Sequence, residues 1–174
     1  WVTMRQSTSF SIVPYQDQYK NEILSVWEKS VAATHHFIKP HDFELLKGML
    51  HTLDFNLFRL FCLRTQSQII GFIGMHEDKI EMLFLHPDYL GRGLGKSLVH
   101  FAIRHLHIDK VDVNEQNTPA LQFYLKMGFT PFERTETDGQ GLPYPLLRMK
   151  LRSKQLAFVK SILAKRIPFS NHEI

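Results

Sequence analysis

Apolar residues along the chain switch between two periods, and the switches outline the elements. Phe10-Ser11-Ile12-Val13 reads as a short strand ended by Pro14. Over residues 17–33, Ile23, Leu24, Trp27 and Val31 recur at helical spacing, with Asp17 placed to cap. Pro40 opens a second helical stretch with Phe43, Leu46, Leu50 and Leu53 on one face. Residues 58–64 and 68–75 are apolar, β-rich runs flanking the polar turn Thr65-Gln66-Ser67, which predicts a hairpin. A further strand over 79–86 is stopped by Pro87, and a helix from about 96 to 106 carries Leu98, Phe101, Ala102 and His105 in step. Residues 110–113 read as a strand and 118–127 as a short helix, with Pro119 in its first turn and Gly128 just past its end. Two last strands, 129–134 and 144–151, are joined by the turn sequence Asp138-Gly139-Gln140-Gly141. Beyond them a helix is predicted over 153–166, where Leu156, Val159 and Leu163 align before Pro168.

This order, β-α-α-β-β-β-α-β-α-β-β, mixes hairpin strands with crossover helices. It predicts an α+β (mixed α/β) domain: a mixed, mostly antiparallel sheet with helices on both faces. A length of 174 residues supports one domain with its own core, and no repeat or linker divides the chain.

Composition changes this picture little. The 44% apolar and 22% charged residues are ordinary for a globular chain. One cysteine, Cys62, excludes an internal disulfide framework; in the apolar run 58–63 it reads as a buried strand residue rather than a nucleophile. No stretch approaches the roughly 18 apolar residues that span a bilayer. The opening residues 1–7 lack the apolar core of a signal peptide, Met4 reads as the natural start, and the cytoplasm is the expected location.

The net charge of +4 is concentrated at one end. From Lys150 onward six basic residues face only Glu173, so the preceding body is close to neutral. Neither nucleic acid nor membrane is therefore an expected partner. Residues 152–174 are read as a basic helical tail that packs on the body or a dimer partner, and the chain as a monomer or homodimer.

The strongest chemical signal is Gly91-Arg92-Gly93-Leu94-Gly95-Lys96-Ser97, between a strand and a helix. Glycines let the backbone bend and bring N–H groups to phosphate oxygens, at a helix start whose dipole favours negative charge. A P-loop would need glycine at position 90, where Leu90 stands. A dinucleotide fingerprint starting at Gly91 would need glycine at Lys96. Neither pattern fits.

The run Leu83-Phe84-Leu85-His86-Pro87-Asp88-Tyr89-Leu90-Gly91-Arg92-Gly93-Leu94-Gly95 resembles the acetyl-CoA signature of the GNAT N-acetyltransferase superfamily. Asn117-Thr118-Pro119-Ala120-Leu121-Gln122-Phe123-Tyr124-Leu125-Lys126-Met127-Gly128-Phe129, about 22 residues further on, is similar to that family's N-x-x-A-x-x-F-Y-x-K-x-G-F segment. The likeness is nearest to a YjaB-like branch of bacterial acetyltransferases, through residues 30–37, 113–117 and 141–147. It implies a domain over 4–151 with a seven-stranded sheet splayed between its fourth and fifth strands. It also implies acetyl-CoA as cosubstrate.

By the same resemblance, Leu83, Phe84 and Leu85 hold the pantetheine arm along the strand edge. Leu90, Gly91, Arg92, Gly93, Leu94, Gly95 and Lys96 hold the pyrophosphate, with Leu90 departing from the family's Gln or Arg. Asn117 and Ala120 contact the cofactor, and Tyr124 lies near the thioester sulfur. Acetyl transfer to an amine needs a base for the amine, donors for the oxyanion and an acid for the thiolate. Tyr124 is the expected acid, since a phenol with a pKa of about 10 is weak enough to hold its proton until needed. Glu81 is the expected base or water-positioning carboxylate; alternation places it with Leu83 and Leu85, opposite Ile80, Met82 and Phe84. His76, beside the turn Glu77-Asp78, offers a proton relay.

His35 and His36 line either an acceptor pocket or a surface loop, while Asn114 and Tyr144 fall in the branch-specific segments and are assigned to the acceptor side. Paired histidines without cysteine or carboxylate at ligand spacing make a poor metal site, and no metal is expected. The reaction expected is direct attack by a small-molecule or peptide amine in a ternary complex. The competing reading is a non-catalytic acyl-CoA-binding module whose tail docks a partner.

Overall fold

A computed structural model describes residues 9–152. The helix expected over 153–166 lies outside them. The chain divides into two compact units, Trp1–His100 and Phe101–Ile174.

In the first unit four strands, β1 (Ser11–Pro14), β2 (Arg59–Arg64), β3 (Ile69–His76) and β4 (Lys79–Leu85), run antiparallel in chain order. Pro14 belongs to β1 rather than ending it, opposite Phe61. The β2–β3 turn is held by Thr65, whose hydroxyl accepts the N–H groups of Ser67 and Gln68. The β3–β4 turn is the pair Glu77-Asp78, with Glu77 in the left-handed region (φ 52°).

β3 is buried along seven of its eight residues. One of its faces is covered by α1 (Lys20–Thr34), whose stripe Ile23, Leu24, Val26, Trp27 and Val31 joins Leu60, Cys62, Phe72 and Met82 in one core. The apolar spacing gives α1 its inward face, but Asp17 is not its cap. Asp17 lies in a preceding 3-10 turn, Asp17–Tyr19, and accepts a hydrogen bond from Asn56 (3.0 Å). Glu22 in the first helical turn reaches the sheet instead and accepts the Ile69 N–H at 2.8 Å. That bond satisfies a donor next to the register shift between β2 and β3.

α2 (Pro40–Thr52) starts with its proline at the first turn, as expected. Its face of Phe43, Leu46 and Leu50, together with Leu53, packs on the same core, and Phe43 stacks on Trp27 at 5.6 Å.

A second register shift corrects the faces assigned to β4. Met75 pairs with Ile80 and Gly74 with Met82, leaving Glu81 as an extra residue. Partners across a ladder share a face. Ile80 therefore sides with Leu83 and Leu85, while Met82 and Phe84 face the α1 core. Simple alternation fails at a bulge because one residue has no partner.

α3 (Leu94–Leu106) starts in this unit and ends in the second; it begins two residues before the expected position. The second unit adds β5 (Lys110–Asn114), α4 (Thr118–Lys126), β6 (Phe129–Thr135) and β7 (Leu146–Leu151), with β7 pairing antiparallel to both β5 and β6. The expected turn after β6 is present: the Asp138 carboxylate accepts the N–H groups of Gln140 and Leu142. Tyr144 precedes β7 rather than opening it, and is buried.

Gly71 is a packing constraint on the strand pair that leads to the glycine loop. A Cβ there would lie 2.5 Å from Leu85 Cδ2 and 3.0 Å from the Phe84 carbonyl oxygen. Gly71→Ala is expected to lower stability by about 1–3 kcal/mol through overpacking, read as a lower urea midpoint at unchanged slope.

Candidate active site

The first half of the site follows β4. Its chain leaves the strand at His86, whose N–H donates to the Ile70 carbonyl (2.7 Å), and turns through a 3-10 segment, Pro87–Tyr89. Gly91 (φ 73°) and Gly93 (φ 76°) then take left-handed conformations that favour glycine. A Cβ at either would meet nothing within 4 Å. Gly93 supplies the carbonyl that accepts the Ser97 N–H (3.1 Å), so α3 starts on the loop itself. The N–H groups of Leu94, Gly95 and Lys96 consequently fall in the helical turn that has no intrahelical acceptor.

Backbone donors, a helix N-terminus and two glycines bordered by open space suit a pyrophosphate, and on that chemistry the residues present fit coenzyme A. Arg92 braces the loop from outside: its guanidinium donates to the Asp88 carbonyl (3.0 Å) and lies 4.9 Å over the Tyr89 ring. Leu90 is 47% exposed and makes no polar contact through its side chain.

Leu83 and Phe84 are half-buried and Leu85 is buried on β4. Glu81 stands in the bulge with its carboxylate 3.0 Å from Lys79 Nζ and its side chain 31% exposed. His76 is the exposed last residue of β3, with its ring 6.3 Å from Phe58. His35 caps the C-terminal end of α1 and packs beside Phe84, ring centroids 6.2 Å apart, whereas His36 is exposed. The first unit thus brings His35 to the strand expected to carry the thioester, and leaves His36 and His76 at the surface.

In the second unit, Asn117 caps α4: its Oδ1 accepts the Ala120 N–H at 3.2 Å. Asn114, at the end of β5, accepts the Gln116 N–H at 2.9 Å. Tyr124 is 5% exposed, edge-on to Phe123 and Phe129 at 5.0 and 5.6 Å. Burial pushes its phenol well above the ordinary range.

Two other groups are shaped the same way. Burial pushes the Cys62 thiol up to about 12, with Glu22 adding to the effect, so a fully buried cysteine on β2 stays protonated and inert. Burial, and then the neighbouring His36, lowers His35 to about 4.

Sequence reasoning missed Thr34 and Phe37, which set the surroundings of His35. Phe37 is 5.4 Å from its ring, and Thr34 Oγ1 is 2.7 Å from its Nδ1. A threonine in the last turn of a helix, directly before a histidine, is the signal that was available. Among the described residues, no group of three or more His, Cys, Asp or Glu could hold a metal, and no helix is long and apolar enough to cross a membrane.

Residues 17–152 match the family described as acetyltransferase (GNAT) domain. The chain is 34% identical over 128 residues to peptidyl-lysine N-acetyltransferase YjaB of Salmonella typhimurium, covering 74% of this chain and 88% of that protein. The solution structure of apo-form YjaB from Escherichia coli matches with a TM-score of 0.75 at 31% identity, over 82% of this chain and 97% of that one. PaiA N-acetyltransferase from Thermoplasma acidophilum, in complex with coenzyme A, matches with a TM-score of 0.65 over 83% of this chain and 99% of that one; at 21% identity this likeness is one of fold.

The neutral His35 has a consequence for stability. Its pKa is about 4 when folded and about 6.5 when unfolded, so between these values the unfolded chain binds a proton that the folded chain refuses. Stability is full above pH 6.5, falls as pH drops toward 4, and levels off below. His100 and His105, lowered chiefly by burial and then by Lys96 and Arg104, act in the same direction. His35→Gln is expected to reduce this slope by about one proton per chain, measured as urea unfolding free energy from pH 4 to 8.

Proposed function

The chain belongs to the GNAT acetyltransferase family, and on that premise we propose that it transfers acetyl from acetyl-CoA to a lysine side-chain amine of a peptide, by direct attack in a ternary complex. Membership makes it an acetyltransferase with acetyl-CoA as cosubstrate. The activity for which its YjaB relatives are named, peptidyl-lysine N-acetylation, supports the acceptor class. The observation that carries the reading is the loop after β4: two left-handed glycines bordered by open space, running straight into the N-terminus of α3.

Residues 4–151 form the catalytic domain in this reading, 152–174 a basic tail, and the cytoplasm is the place of action. When bound, acetyl-CoA supplies an activated acetyl group and a thiol leaving group. The N–H groups of residues 91–96 hold its pyrophosphate, and β4 guides the pantetheine arm. Asn117 caps α4 and so sets the position of Tyr124, two turns further along that helix.

Burial raises the Tyr124 phenol, so it keeps its proton under conditions where a free thiol, with a pKa of about 8.5, begins to ionise. It therefore acts by donating a hydrogen bond to charge developing on sulfur, rather than by surrendering the proton outright. Glu81, paired with Lys79 and partly exposed, accepts the amine proton through water. Cys62, buried and protonated, takes no part, which favours direct attack over an acyl-enzyme.

Tyr124→Phe keeps the ring packing and removes the hydroxyl. It is expected to lower kcat by about 100-fold while the calorimetric Kd for acetyl-CoA stays within about twofold. Wild-type turnover in this variant, with free thiol followed on a lysine peptide, would overturn this hydrogen-bonding role of Tyr124. A wild-type chain that binds acetyl-CoA yet acetylates no amine would instead favour the non-catalytic binding module.

Gly93→Ala places a side chain at a φ disfavoured by about 1–2 kcal/mol, with no clash to unfold the protein. Acetyl-CoA affinity is expected to fall by about tenfold as the loop relaxes, measured by calorimetry.

A further inference from the structure

One side chain closes the loop that leaves β4 on itself. Arg92 stands between Gly91 and Gly93, both in the left-handed region and both bordered by open space. Glycine loses more conformational freedom on ordering than any other residue, so two of them with nothing packed at the Cβ position gain most from a tether. The Arg92 side chain reaches back past Gly91. Its Nη2 donates to the Asp88 carbonyl at 3.0 Å, and its guanidinium carbon lies 4.9 Å from the centre of the Tyr89 ring. A guanidinium suits this place because it can lie on an aromatic face and still donate from its edge. The compact, strongly hydrated ammonium of lysine does not combine the two.

Tyr89 is in turn fixed to the framework. Its half-buried ring stands edge-on to Phe10 at 6.4 Å and to His86 at 6.0 Å. Its phenol oxygen accepts from the Gln68 side-chain amide at 3.4 Å. Phe10 directly precedes β1, and Gln68 directly precedes β3, where its carbonyl accepts the Thr65 N–H at 2.9 Å. His86 holds the turn from the other side: its Nδ1 accepts the Asp88 N–H at 3.2 Å and its carbonyl the Tyr89 N–H at 2.9 Å. Contacts therefore run from two strands through Tyr89 to Arg92, and from Arg92 to the glycines on either side of it. The guanidinium is engaged within the loop.

We propose that Tyr89 and Arg92 are positioning residues for acetyl-CoA. Arg92, seated on Tyr89, sets the conformation of Gly91-Arg92-Gly93 before the cofactor arrives, so that the backbone N–H groups meet the pyrophosphate without first having to be ordered. Preorganisation of this kind raises affinity by removing the cost of ordering on binding. The proposal rests on the acetyltransferase reading above and adds to it the side chains that pre-form the loop.

Calorimetric acetyl-CoA binding and backbone nitrogen relaxation of the free chain test it together. Arg92→Lys keeps the charge and loses the planar fork, while Tyr89→Leu keeps an apolar side chain and loses the aromatic face. Each is expected to raise the acetyl-CoA Kd about fivefold, the size of an exposed cation–π contact. Each should also lower the order parameters of residues 91–95 in the free chain. Tyr89→Phe, which keeps the face, should stay within about twofold of wild type. The double variant Tyr89→Leu/Arg92→Lys should bind no more than about twofold worse than either single variant, because both changes remove the same brace. In turnover of a lysine peptide, KM for acetyl-CoA should follow Kd while kcat changes by less than about twofold.

Wild-type affinity in Arg92→Lys, or losses that multiply in the double variant, would mean that Arg92 meets the phosphates with its own charge, and either result overturns the proposal. Unchanged order parameters in both single variants overturn it as well. A wild-type chain that binds no acetyl-CoA overturns the acetyltransferase reading instead, while the order parameters still decide whether Tyr89 and Arg92 set the loop.

Discussion

The covering of β3 is the constraint on which the first unit depends. A strand buried on seven of eight residues has to pair on both edges and be packed on both faces. β2 and β4 supply the edges, and α1 closes one face through Trp27 and its neighbours. The Glu22 carboxylate, reaching from α1 to the Ile69 N–H, ties helix to strand where the ladder loses register. The candidate site residues of this unit all hang from that framework. His35 ends the helix that covers β3, Glu81 bulges from the strand paired with it, and the glycine loop continues that same strand.

Bulges and tight glycines belong together here. Gly74 leaves its place to Met82 and Leu60, whose side-chain ends lie within 3 Å of where a Cβ would be. The ladder slips beside this contact, and Glu81 emerges as the unpaired residue. A bulge re-aims a side chain without ending the strand. β4 therefore presents a carboxylate at its start, apolar residues along its middle and the glycine loop at its end.

Burial also sets the protons. Cys62, Tyr124 and His35 all shift toward their neutral forms because the low-dielectric interior disfavours charge. The outcomes differ with context. The cysteine is silenced among apolar residues on β2, the phenol on α4 keeps its proton against Phe123 and Phe129, and the imidazole stays uncharged beside Thr34 and Phe84. One physical effect thus keeps three chemically different side chains uncharged.

The amino-acid sequence alone determined the order of elements, the helix faces of α1 and α2, the β2–β3 hairpin and the turn at Asp138. These depend on short-range periodicity and local turn chemistry, which are written in neighbouring residues. It also determined the glycine loop, because left-handed conformations at Gly91 and Gly93 favour glycine. Tertiary structure alone decided the rest. Asp17 lost its capping role to a contact with Asn56, 39 residues away. The faces of β4 followed a bulge set by packing across strands. His35 and His36 are adjacent in sequence and equal in chemistry, yet His35 packs beside Phe84 of β4 and is held neutral by burial, whereas His36 is exposed. Register, burial and the protonation they impose depend on residues far apart in the chain, and no local pattern carries them.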